Sequence, residues 1–388
     1  MEVCMSRKIV GALCSLVVAL VVGATAQAAE VRLGVAAALT GPVAKYGVPI
    51  RNGFTLAAEE VNAKGGVNGH LLVLVVEDEQ AKKEEAINVF KKLIFQDKVL
   101  AIFGPTLSNS AFAADPIANQ AKVVVFGTSN TANGITDMGP WTFRNSIMEA
   151  DVLPVTVREA VKKFKIKKVA VLYGNDDAFT KGGYDVFKVV LEAQNIPVTN
   201  TETFARGDVD FRAQLTKIKA QNPDAIVCSA LAEEAANIIL QARNLGITVP
   251  FVGGNGFNSA KLFEIAKAAA DNTIMGGPWA AESNSARNKG FVAAYTRKYG
   301  AEPDQFAAQA YDALYIVAQA LKTVKLTGSL EKDRQSLRDA LPLVKLEGAT
   351  GSFTFRKAPA KAGVETGYDA RQDAHIFIAK GGKFVLMK

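Results

Sequence analysis

At 388 residues, with 49% hydrophobic and 21% charged side chains, the chain has apolar material for one or two domain-sized cores and lacks the polar bias of a disordered segment. A formal charge of +7 raises the question of nucleic acid. The densest basic run, "KKFKIKK" from Lys162 to Lys168, straddles a helix end and a strand start with no aromatic stacking motif beside it, so it reads as a solvated face.

The chain opens with Arg7 and Lys8, runs apolar from Ile9 to Ala24, and continues as "TAQAAE", with Ala26 and Ala28 at A-x-A spacing. That pattern predicts a secretory signal over residues 1–28, cleaved near Ala28 or Ala29. The apolar run falls short of the roughly 20 residues a spanning helix needs. A lipid anchor at Cys14 is disfavoured because most of the apolar run follows it. Cleavage would remove Glu2, Arg7 and Lys8, a net +1, and leave a soluble exported chain of charge +6. It would also remove Cys4 and Cys14, so that Cys228 remains alone and no internal disulfide can form. Cys228 lies in "DAIVCSA", a buried-strand pattern that predicts a packed thiol.

Past the signal, strand-length apolar runs alternate with amphipathic segments. "VRLGVAAAL" is followed by Ile50, Phe54, Ala57, Ala58 and Val61 at helical spacing, stopped by "KGG" at Lys64 to Gly66. "LLVLVVED" precedes a helix around residues 81–95 that should bury Ile87, Phe90 and Ile94. "VLAIFGP" then leads into "GPTLSNSAFAADPIANQ", Gly104 to Gln120, where Ser and Asn stand at the helix start. Such a corner gathers backbone N–H groups and hydroxyls around one point, which suits a small anion. "KVVVFGTS" completes this series.

Near "WTFRNSIMEADVLP" the chain runs extended and restarts with a helix, which reads as a crossing into a second βα series: "KKVAVLYGN", "DAIVCSA", "VPFVGGN" and "TIMGGPW". The helix-rich stretch from Ser285 to Leu341, marked by Phe306, Ala310, Leu314, Val317 and Leu321, should pack back on the first lobe. "SFTF" and a hairpin around Gly381 and Gly382 close the chain. The expected fold is α/β, with a first lobe of residues 29–148 and 279–348 and a second of 149–278 and 349–388. Parallel sheets bind ligands beyond the carboxyl ends of their strands, and "GPTLSNS", "FGTSNTANG", "YGNDDAF", "SALAEE" and "GGNGFN" all fall there.

The tools of an enzyme are missing from this pattern. No G-x-G-x-x-G turn follows the first strand, and no phosphate loop, G-x-S-x-G elbow or H-E-x-x-H occurs. Asp176 with Asp177 and Glu233 with Glu234 are paired acids without a nucleophile or histidine beside them. His70 and His375 give a zinc site little to be built from, and no cofactor is called for.

"AALTGPVAKYGVPIRNGFTLAAEEVNAKGGVNGHLL", with "VEDEQ", "IFGPTLSNSAFAADPIANQ" and "VVVFGTSNT", resembles the extracytoplasmic leucine/isoleucine/valine-binding proteins of branched-chain amino acid ABC importers, over nearly the whole mature chain. The resemblance implies a type I periplasmic binding protein fold, with two Rossmann-like parallel-sheet lobes, three crossing segments and a ligand trapped on closure. It also implies a permease and ATPases as partners, a periplasmic location and no catalysis; a monomer suits a diffusible carrier. Carried over by position, the ligand-carboxylate contacts fall on Ser108, Ser129 and Thr131, and Tyr46 and Phe179 line the pocket. Helix N-termini and hydroxyl donors stabilise a carboxylate on general grounds as well.

Two positions depart from the pattern. Where relatives that bind α-amino acids place an acid for the ammonium, this chain has Asn255, and another pocket aromatic falls on Leu231. A buried ammonium without a counter-charge costs several kcal/mol. Either Asp177, Glu233 or Glu282 takes over, or the ligand has no amine. The expected ligand is a branched-chain or other hydrophobic amino acid, with an amine-free acid such as an aromatic carboxylate as the alternative. A secreted enzyme or a sensory ligand-binding domain is the expectation from other classes.

Overall fold

The computed structural model describes residues 29–359 and 363–387. The predicted signal segment, with Cys4 and Cys14, lies outside them. Each apolar run of the first series becomes a strand followed by a helix whose buried stripe covers it. β1 (Glu30–Ala37), α1 (Ala44–Asn62), β2 (Leu71–Asp78), α2 (Lys83–Lys91), β3 (Ala101–Phe103), α3 (Ser108–Gln120), β4 (Val124–Gly127) and β5 (Thr142–Arg144) follow in turn. A π-type turn over Lys92–Gln96 extends α2 and carries Ile94 into the core; Phe90 is also buried, while Ile87 is only half-buried.

The second series runs α4 (Glu149–Phe164), β6 (Val169–Gly174), α5 (Ala178–Ala193), β7 (Val198–Phe204), α6 (Arg212–Ala220), β8 (Ala225–Ser229), α7 (Ala232–Asn244), β9 (Phe251–Gly253), α8 (Ala260–Ala266) and β10 (Ile274–Gly277). α9 (Ala286–Tyr299), α10 (Gln305–Lys322) and α11 (Leu330–Ala340) come next. β11 (Leu346–Gly348), β12 (Gly351–Lys357), β13 (Tyr368–Arg371), β14 (His375–Lys380) and β15 (Lys383–Leu386) close the described chain.

Strand order is β11-β12-β13-β5-β4-β3-β1-β2 in the first sheet and β15-β14-β10-β9-β8-β6-β7 in the second. The βαβ strands pair in parallel, and the late strands β11, β12, β14 and β15 add antiparallel edges. The chain thus passes between sheets three times, after β5, after β10 and after β13. The last crossing falls later than the sequence placed it, because β12 and β13 pair in the first sheet although residues from 349 onward were assigned to the second lobe. Aromatic packing holds them there: Phe355 meets Phe126 and Phe143 edge-on, and Tyr368 stacks on Phe143.

Helices cover both faces of each sheet. α1 and α10 cross so closely that a Cβ on Gly53 would lie 2.2 Å from the Ala307 carbonyl oxygen, and Phe54, Leu314 and Val317 are fully buried beneath them. α10 therefore packs back on the first sheet, as its apolar spacing predicts. Around the second sheet, Leu215, Ile239 and Phe251 fill one side, and Leu153, Phe187 and Ile376 the other. Cys228 is wholly buried in β8, and burial pushes its thiol up. Lys162, Lys163, Lys165 and Lys167 are exposed around buried Ile166, as a solvated face requires. Among the described residues no helix is long and apolar enough to cross a membrane.

Candidate functional site

The carboxyl ends of the two sheets face each other, and between them lies a small cavity. From the first lobe it is lined by Tyr46, Thr106, Leu107, Ser108, Ser129 and Phe306, and from the second by Phe179, Leu231, Asn255 and Gly256. Five of the six residues singled out in the sequence therefore meet at one place. Thr131 is not among the lining residues.

The polar end is built where β3 gives way to α3. Ser108 is the first residue of this helix, Leu107 holds the cap position, and no side chain caps the first turn. The turn thus offers the positive end of the helix to the cavity. Ser108 Oγ accepts from the Ala132 N–H at 3.3 Å, so it does not serve as its own helix's cap and keeps its hydroxyl hydrogen to give. Glu79 braces the corner: its carboxylate accepts from the Thr106 N–H at 3.2 Å and the Ser110 hydroxyl at 3.0 Å. Burial raises the Glu79 carboxyl above its ordinary range. Ser129 Oγ donates to the Thr106 carbonyl at 2.7 Å. Arg144 Nη1 donates to the carbonyls of Asn130 and Ala132, at 3.4 and 2.8 Å, and so holds the backbone on either side of Thr131. The Thr131 hydroxyl is fully buried without a protein partner.

The opposite wall is apolar, made by the Phe179 ring, Leu231 and the Gly256 backbone, with Phe306 beside Tyr46 at a centroid distance of 4.9 Å. Phe306 belongs to the stripe read as helix core; standing in the first turn of α10, it faces the cleft instead.

Protein contacts also tie the lobes together around the cavity. Tyr46 Oη accepts from the Ala232 N–H at 2.9 Å and donates to the Gly256 carbonyl at 3.0 Å. Burial pushes the Tyr46 phenol well up, so it stays neutral. Lys45 Nζ pairs with Glu233 at 2.7 Å. Asn109 donates to Asp177 Oδ2 at 3.1 Å and accepts from the Ala178 N–H at 2.9 Å.

None of the lining residues is acidic. Asp177 caps α5 by accepting from the N–H groups of Phe179 and Thr180, Glu233 is taken by Lys45, and Glu282 lines a different cavity. Glu149 lies behind Asn255: its Oε1 accepts the Asn255 N–H at 3.2 Å, and burial raises its carboxyl to about 8. Sequence reasoning missed Glu149, Asn109 and Gln305, whose partners lie far along the chain. Among the described residues there is no cluster of His, Cys, Asp and Glu fit for a metal ion.

Two lobes, three crossings and a small cavity gripped from both sides define a two-lobed solute-binding protein. The family model described as "Periplasmic binding protein" matches residues 30–374. The leucine-, isoleucine-, valine-, threonine-, and alanine-binding protein of Pseudomonas aeruginosa is 28% identical over 346 residues, 89% of this chain and 91% of that one. Among solved structures, the branched-chain amino acid transporter substrate binding protein LivJ from Streptococcus pneumoniae, in complex with isoleucine, is 32% identical. It superposes with a TM-score of 0.82 over 92% of this chain and 97% of that one. A solute binding protein from Rhodopseudomonas palustris in complex with 3,4-dihydroxy benzoic acid is 26% identical, with a TM-score of 0.80 over 92% and 96% of the two chains. The chain belongs to the periplasmic binding protein family, within the Leu/Ile/Val-binding proteins of ABC importers.

Proposed function

We propose that this chain is the extracytoplasmic solute-binding protein of an ABC importer, closing on a small carboxylate with an apolar body, of the size of a branched-chain amino acid, and delivering it to the permease. The observation that carries this reading is the two-ended cavity. An uncapped helix start and the Ser108 hydroxyl face an aromatic and aliphatic wall supplied by the other lobe. The relatives with leucine-type or isoleucine ligands in their names support the same class. The Ser108 hydroxyl takes the ligand's carboxylate in this reading, Ser129 joins it by turning its hydroxyl from the Thr106 carbonyl, and so does Thr131, whose buried hydroxyl lacks a partner. The Tyr46 ring lines the pocket while its hydroxyl is held by the other lobe. Phe179 packs on the apolar body, and Asn255 meets the second polar group.

The mechanism is a population shift. A ligand that touches both lobes only when they are closed favours the closed form by its differential affinity, and the permease reads that form. The carrier works as a monomer in the periplasm after its leader is removed, with permease and ATPase subunits as partners. Catalysis plays no part in it.

A second reading, an amine-free carboxylate in the same role, is favoured by the absence of any acid among the lining residues. The P. aeruginosa and R. palustris relatives bracket the two possibilities. Calorimetry tests the shared claim after a thermal-shift screen of amino acids, aliphatic acids and aromatic acids. Ser108→Ala should weaken the best ligand by about 1 to 3 kcal/mol with an unchanged melting temperature, because a buried carboxylate loses one donor. An unaltered affinity would remove Ser108 from the site.

A further inference from the structure

Gln305, fully buried at the start of α10, reaches from the first lobe to the second. Its amide nitrogen donates to Asn255 Oδ1, and its amide oxygen accepts from Asn258 Nδ2 at 2.6 Å. The seat is shaped for it: a Cβ on Gly277, the last residue of β10, would lie 2.7 Å from Gln305 Oε1. Asn255 is only 2% exposed, and its backbone N–H is spent on Glu149. Gln305 takes one lone pair of the side-chain oxygen and holds that oxygen towards α10, so what Asn255 turns to the cavity it lines is Nδ2, which can only donate. An ammonium placed there meets a donor in a site without a counter-charge; an oxygen atom there accepts a hydrogen bond.

We propose that Gln305 is a specificity-determining residue. By holding the Asn255 amide as a donor towards the cavity, it makes the cleft select carboxylates whose second polar group is an oxygen acceptor over the corresponding amino acids. 2-Oxo or 2-hydroxy acids with an apolar body are the class that fits. This rests on the carrier reading above and narrows its substrate class.

Isothermal titration of the purified mature protein with 4-methyl-2-oxopentanoate, leucine and 4-methylpentanoate tests the assignment. The oxo acid should bind about tenfold or more tighter than leucine, a difference of one hydrogen bond gained against one repulsion. Gln305→Glu keeps the shape and, in titrations at pH 9, above the range to which burial lifts the neighbouring Glu149 and Asp304 carboxyls, gives position 305 only acceptors, so the Asn255 NH₂ turns towards it and Oδ1 turns to the ligand. The oxo-acid to leucine ratio should then fall by about tenfold or more. Asn255→Asp should move the ratio the same way and serves if Gln305→Glu does not melt cooperatively. Tighter binding of leucine by the wild type, or a ratio unmoved in the folded variants, overturns the assignment. Binding of 4-methylpentanoate that weakens in Ser108→Ala while the ratio stays put leaves the carboxylate cleft standing and removes only Gln305. Failure of all three compounds to bind overturns the assignment, and the carrier reading then stands or falls by the wider screen that includes aromatic acids.

Discussion

Tyr46 serves the cavity with its ring and the closed form with its hydroxyl, which holds one backbone donor and one backbone acceptor of the opposite lobe. Tyr46→Phe keeps the ring and removes both bonds. Net hydrogen bonds are worth about 0.5 to 1.5 kcal/mol each, so ligand affinity should drop by about 1 to 3 kcal/mol while the fold holds. Calorimetry beside a thermal melt reads this, and an unweakened ligand would show that closure does not depend on these bonds. The segments that carry Ser108, Ser129, Phe179 and Asn255 were legible because parallel-sheet proteins place polar loops at strand ends, while the choice of these residues within them came from the family resemblance. Gln305 was not legible: in the sequence it is one amide at a helix start, and its meaning comes from contact with a residue fifty positions away.

Among the elements, the short strand β5 holds the loop beneath the polar end in place. Arg144 is fully buried, its Nε donates to Asp369 Oδ1 of β13 at 2.7 Å, and its Nη1 holds the carbonyls flanking Thr131. Thr136 donates to the other Asp369 oxygen at 2.9 Å. Arg144→Met leaves the Asp369 carboxylate buried without its cation and should cost about 3 to 5 kcal/mol in chemical denaturation. Adding Asp369→Asn should recover part of that loss; no loss in the single variant would show that the pair contributes little. Strands such as β4 and β8 could be read directly because buried parallel strands are continuous apolar runs. β5 is three residues long, and β7 is a polar, largely solvent-facing edge strand, so neither carried that signal. β12 and β13 escaped assignment to the correct sheet because pairing across a crossing is a tertiary choice that local pattern does not encode.

For the molecule as a whole, buried acids set the response to pH. Burial raises Glu149 from 4.5 to about 8, Asp304 from 3.8 to about 7 and Asp312 from 3.8 to about 6. Between the ordinary and the raised value the unfolded chain has shed the proton and the folded chain keeps it. The folded state therefore binds more protons, and stability falls as pH rises through that window, by up to about 1.4 kcal/mol per unit for each group. The ligand-free protein should melt lower at pH 8 than at pH 5, and Glu149→Gln should flatten the decline above pH 6. A melting temperature that climbs from pH 5 to pH 8 would contradict the assignment. The bonds that join the lobes carry a different consequence. Tyr46 with Ala232 and Gly256, Lys45 with Glu233, and Asn109 with Asp177 reward the shut state whatever sits inside it. An apparent dissociation constant scales inversely with the competent fraction, so these bonds tighten the grip on every guest by one common factor. Discrimination is left to a handful of wall atoms, and a carrier organised in this way can change cargo by one or two substitutions without rebuilding its hinge.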